Sequence, residues 1–73
     1  MTILQTSVLV LESLAVGQRF TTAEFWQQAQ RQNCSTTYTI RHAHNFLGIQ
    51  YVIGNVGIVA ITSFGDYTWE RIV

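Results

Sequence analysis

Six consecutive residues, Phe20-Thr21-Thr22-Ala23-Glu24-Phe25, carry two helix-start signals at once. Thr21 followed three residues later by Glu24 has the spacing of a capping box, and Phe20 and Phe25 stand at the two positions of a hydrophobic staple. Together they predict a helix that begins at Thr22 and carries Ala23, Phe25, Trp26 and Ala29 on its apolar side. A polar stretch, Gln27 to Gln32, follows, and Asn33 tolerates the left-handed conformation that stops a helix. Any fold for this chain must accommodate a helix starting there.

Before it, Leu4, Val8, Leu11 and Leu14 or Ala15 recur at three- and four-residue spacing. That periodicity predicts an amphipathic helix over residues 3 to 16, with Gly17 just past its end. Thr2 and Gln5 have capping-box spacing, whereas the β-branched Val8 and Val10 work against the helix. After the turn at Asn33, Ser35 is predicted to cap a third helix that runs to about Leu47 and stops at Gly48. Beyond Gly48 the residues become β-branched and apolar. Ile49 to Ile53 and Ile58 to Ile61, separated by Gly54-Asn55-Val56-Gly57, predict a β-hairpin with a short, neutral tip, since Gly-Asn suits a two-residue turn. Thr62-Ser63-Phe64-Gly65-Asp66 then leads in one of two directions. The preferred one is a final helix carrying Tyr67, Trp69 and Ile72; the other is a third strand through Tyr67 to Val73.

At 73 residues the chain has room for one domain, and 48% hydrophobic content with two Trp, three Tyr and four Phe helps supply its core. The apolar runs are far shorter than the roughly 20 residues of a membrane span. Glu12 lies inside the apolar N-terminal stretch and no basic residue precedes it, so no signal peptide is expected. A single cysteine, Cys34, leaves no intramolecular disulfide to form and weakly favours a reducing compartment; the expected location is cytoplasmic. The charges balance at zero, every basic residue being an arginine. Composition alone therefore does not indicate a nucleic-acid binder.

The sequence contains no glycine-rich phosphate loop, no nucleophile elbow and no His-carboxylate spacing of known chemistry, so catalysis is not expected and no cofactor is called for. His42 and His44 lie about 200° apart around a helix and cannot share a metal ion. One of the two, His44 by preference, is expected half-buried as a structural residue, and Cys34 is expected to serve as small apolar packing.

Three stretches carry a family resemblance: Ser35-Thr36-Thr37-Tyr38-Thr39-Ile40-Arg41, Phe46-Leu47-Gly48-Ile49, and Val59-Ala60-Ile61-Thr62-Ser63-Phe64-Gly65. In this order, after two helices and a short extended piece at Gln18 to Phe20, they resemble the winged helix-turn-helix DNA-binding domain family. The resemblance covers nearly the whole chain. It implies an α+β fold in which a three-helix core is followed by a hairpin wing and a short C-terminal helix. It also implies that the third helix reads double-stranded DNA in a small transcriptional regulator. The wing tip, Gly54-Asn55-Val56-Gly57, departs from the family in lacking any Lys or Arg, which weakens the expectation of wing contacts to phosphate.

With Thr36, Ile40, Ala43 and Leu47 as the buried stripe, Thr37, Tyr38, Arg41, His42 and Asn45 project from the opposite side. Arg reads guanine O6 and N7, Asn reads adenine N6 and N7, and a Thr methyl touches the thymine methyl. Ser35 and the first N–H groups of the helix suit a phosphate oxygen, and Arg31 and Arg19 are candidate backbone contacts. Plainer readings stand beside these. Arg41 can pair with Glu24 or Glu70 at the surface, Tyr38 can pack at the core edge, and the threonines can simply fill a crowded helix start. A neutral monomer binds DNA weakly, and dimerisation on a palindromic site would compensate; helix one and the Tyr67, Trp69, Ile72 segment offer apolar surface for a homodimer interface or, equally, residues for the core. The alternative function is a protein-interaction module of the same fold, an accessory factor or inhibitor of a larger nucleic-acid machine.

Overall fold

The computed structural model describes residues 1–73, with the element order α1 (Ile3–Ser13), β1 (Arg19–Thr21), α2 (Thr22–Gln30), α3 (Ile40–Ile53), β2 (Val56–Ile61) and β3 (Tyr67–Arg71). The strands form one antiparallel sheet in the order β1-β3-β2, so the last strand lies between the other two. Both helix starts read from local spacing are present. Thr2 and Gln5 close a reciprocal capping box on α1, Thr21 and Glu24 close one on α2, and the Phe20 and Phe25 rings lie 5.8 Å apart. Phe25 in turn stacks on Phe46 of α3 at 5.9 Å, carrying the staple into the core.

Trp69 holds the centre. Placed in the middle strand opposite both Phe20 and Ile58, it is 1% exposed, and its indole N–H donates to the Thr22 hydroxyl at 2.9 Å. Around it pack Val10, Leu11, Phe25, Leu47 and Val56, and every buried side-chain nitrogen and oxygen has a hydrogen-bond partner.

The C-terminal half differs from the sequence reading in three places. First, α3 starts at Ile40 under Thr39, not under Ser35, and runs through Gly48 to Ile53. Its true stop is Gly54, left-handed at φ +98°, whose N–H bonds to Tyr51 O while Asn55 N–H reaches back to Gln50 O at 2.9 Å. This is a Schellman closure, available to glycine without steric cost. Gly48 inside the helix costs only about 1 kcal/mol, less than burial of Ala43, Phe46 and Leu47 supplies. Second, Ile49–Ile53 is therefore the last turn of α3 and not a strand, and the hairpin turn lies at Thr62–Asp66, where Thr62 N–H bonds to Asp66 O. Third, the terminal segment is β3 and not a helix. Tyr67 and Trp69 alternate with Thr68 and Glu70 at strand period, and the strand fills the gap between β1 and β2.

In α1 the expected stripe also splits. Leu11 is buried and Leu14 half-buried, but Leu4 and Val8 face outward, while Thr6 and Ser7 are fully buried. Both hydroxyls donate to carbonyls one turn back, Thr2 O and Ile3 O, at 2.8 Å, which lets them lie inward without orphaned donors. The helix ends at Ser13, short of residue 16. No helix is long and apolar enough to cross a membrane.

Candidate nucleic-acid interface

Burial of Ala43, Phe46 and Leu47 fixes which side of α3 faces water. On the far side, at i, i+3 and i+4, stand Arg41, His44 and Asn45, all exposed. Arg41, His44 and Asn45 line a shallow depression with Thr22, Asp66 and Tyr67. His44 stands edge-on to Tyr67 at 4.9 Å and to Trp69 at 5.9 Å, and Tyr67 stacks on Trp69, so the central strand supports the imidazole from behind. The depression thus offers a guanidinium, an imidazole and a carboxamide on one side and the Asp66 carboxylate on the other.

Toward the C-terminus the same face becomes apolar. Ile49, Val52 and Ile53 are exposed and line a groove with His44, Asn45 and Gly48.

Of the residues singled out from the sequence, Arg41 and Asn45 are brought together. Tyr38 is not on this face. It lies before the helix and is 3% exposed, with its hydroxyl 2.6 Å from Ser7 Oγ and its carbonyl accepting from the Trp26 indole at 3.0 Å. Burial pushes its phenol above the ordinary value.

His42 is the half-buried histidine of the pair, and His44 the exposed one, the reverse of the expectation. Its Nδ1 accepts the Thr39 N–H at 3.0 Å and its own N–H donates to Thr39 Oγ1, a capping box with imidazole in the place of a carboxylate. That bond leaves Nδ1 unprotonated and assigns the ring proton to Nε2. Committed to the cap, His42 does not project with Arg41.

Ser35 and Thr37 are exposed in the Arg31–Thr39 connection, apart from the helix start, beside a pocket shared with Gln30, Gln32 and Cys34. Ser35 therefore does not cap α3; its N–H bonds to Met1 O. The Cys34 thiol is half-buried and held below its ordinary value by the Thr6 hydroxyl and the Thr36 backbone.

The arginines divide in two. Arg19 pairs with Glu70 at 3.1 Å across β1 and β3, and Arg71 donates to the Glu12 and Leu14 carbonyls at the end of α1. Arg31, at the end of α2, and Arg41 are exposed and carry no carboxylate partner. Neither Glu24 nor Glu70 pairs with Arg41. No cluster of three His, Cys, Asp or Glu side chains suitable for a metal ion is present.

A buried stripe that includes Thr36, which lies outside the helix, leaves His44 off this face. Anchored on Ala43 and Leu47 alone, it places 41, 44 and 45 together. Comparison with protein-family models, with curated proteins and with solved structures returns no match for the chain.

Proposed function

We propose that the chain is a winged helix that binds double-stranded DNA in a sequence-specific way, with α3 as the reading helix and β2-β3 as the wing, and serves as a small transcriptional regulator. The observation that carries this reading is the exposed group Arg41, His44 and Asn45 on one face of α3. Arginine and asparagine are the two side chains that make bidentate contacts to guanine and adenine in the major groove. The element order and the β1-β3-β2 sheet support it as well.

Electrostatics set the strength. With Arg19 and Arg71 engaged internally, Arg31 and Arg41 are the cations free to meet phosphate. Each neutralised phosphate contributes about −0.9 to the slope of log K against log salt. The slope per copy is therefore shallow, and the DNA affinity comes mainly from base contacts. The Asp66 carboxylate on the depression repels phosphate and weakens non-specific binding further.

Selection from a random duplex pool at low and moderate salt tests the reading. Recovery of one motif at both salts is expected for wild type and its loss for Arg41→Ala; no enrichment at either salt contradicts it. A second reading, a protein-interaction module, is favoured by one feature: the exposed Ile49, Val52 and Ile53 groove. It predicts a partner protein whose retention survives nuclease and is lost in Val52→Glu but not in Arg41→Ala.

A further inference from the structure

Helix α1 carries apolar side chains on two sides. Its inward side buries Val10 and Leu11 together with the Thr6 and Ser7 hydroxyls, while its outward side, with Met1 just ahead of the helix, carries Leu4, Gln5, Val8, Leu9 and Glu12 along one open groove. Leu4 is 64% exposed, and Val8 and Leu9 about 40%. A helix apolar on both sides is the pattern of one covered on both sides. The inner side is covered by α2 and α3.

We propose that the outer side is covered by a second copy of this chain, with the two α1 helices packed antiparallel about a two-fold axis. The charge pattern selects this occupant. Glu12 lies in the last turn of α1, whose carbonyl end is met by the Arg71 guanidinium, whereas the first turn has no acidic residue to face its N–H groups. An antiparallel copy sets each Glu12 carboxylate beside the second copy's Met1, at the N-terminal end of its α1, where unpaired N–H groups favour it. The same register sets Leu4 against the second copy's Leu9 and Gln5 against its Val8, a self-complementary stripe of the kind a two-fold interface requires. A parallel arrangement would bring the two Glu12 side chains together.

One helix face of 11 residues is shorter than the interface of a stable dimer, which buries about 800 Å² on each partner. The pair is therefore weak and concentration-dependent. This inference stands apart from the DNA reading and survives its failure.

Sedimentation equilibrium of the full chain from about 10 μM to about 1 mM tests it. Wild type is expected to pass reversibly from monomer to dimer over this range, and Leu4→Lys, an exposed substitution that leaves the fold intact by circular dichroism, to remain monomeric. Glu12→Lys separates this interface from any structural role of the residue. Circular dichroism and thermal unfolding at low concentration, where the protein is monomeric, read its effect on the fold beside Arg71, and association is expected to weaken about tenfold. Monomer at every concentration overturns the proposal. So does a dimer indifferent to Leu4→Lys, or one that Glu12→Lys leaves unchanged or strengthens.

Discussion

The Ser7 hydroxyl of α1 and the Tyr38 hydroxyl meet at 2.6 Å in the interior, 31 positions apart in sequence. Ser7 gives its proton to Ile3 O, so Tyr38 is the donor. This bond ties the segment before α3 to α1 and removes Tyr38 from the face that would read DNA. Tyr38→Phe is expected to lower stability by about 1 kcal/mol in urea titrations, with the DNA affinity unchanged.

The same burial gives Tyr38 a signature in alkali. Its phenol titrates above the ordinary 10.0, chiefly through desolvation. The folded state therefore prefers the protonated form, and the contribution is fully present below 10.0 and lost as pH rises through the raised value. Stability measured from about pH 9 to about pH 12 should fall more steeply in wild type than in Tyr38→Phe.

Two glycines of one helix give opposite signs. An alanine methyl at Gly48 meets nothing within 4 Å inside α3, so Gly48→Ala should stabilise by about 0.5–1 kcal/mol. Gly54, at φ +98°, closes the helix, and Gly54→Ala should cost about 1–2 kcal/mol. Urea midpoints of the two variants would reverse their order if the helix ended at Gly48.

These glycines show what was legible in the sequence. The caps at Thr2 and Thr21 were legible because a capping box is closed by residues three apart, and nothing distant enters it. Thr39 was not, since its partner is His42, an imidazole where the pattern calls for Glu or Gln. Gly48 looked like a stop because its small cost weighs heavily in a local reading and little against core burial. The sequence reading prefers a helix where β3 lies because Tyr67 and Trp69, two apart, acquire meaning only opposite Ile61, Ile58 and Phe20. For the site, Arg41 and Asn45 followed from helical spacing. Tyr38 did not, because its partner Ser7 is fixed by tertiary packing alone.

Thr22 provides a test of the core. Thr22→Val removes the acceptor of the Trp69 indole and leaves a buried N–H unpaired, for an expected loss of about 1–3 kcal/mol. Thr22→Ser keeps the hydroxyl and should retain most of that stability; equal losses in the two variants would assign the effect to packing instead of the bond.

On the proposed reading face, charge predicts opposite effects from neighbouring substitutions. Arg41→Ala should weaken binding to a selected duplex by about 1–3 kcal/mol and relax the preference at one base position. Asp66→Asn, across the same depression, should strengthen binding to any duplex and narrow the gap between selected and random sequences. Fluorescence anisotropy at two salt concentrations measures both.

The most direct test of the account is a nuclear magnetic resonance titration of the isotope-labelled protein with a duplex carrying the selected motif. Saturable amide and side-chain shifts centred on Arg41, His44 and Asn45, with α1 unaffected at a concentration where the protein is monomeric, are the predicted result. Shifts confined to the Ile49, Val52, Ile53 groove or to α1, or no saturable shift, would contradict the assignment of α3 as the reading helix.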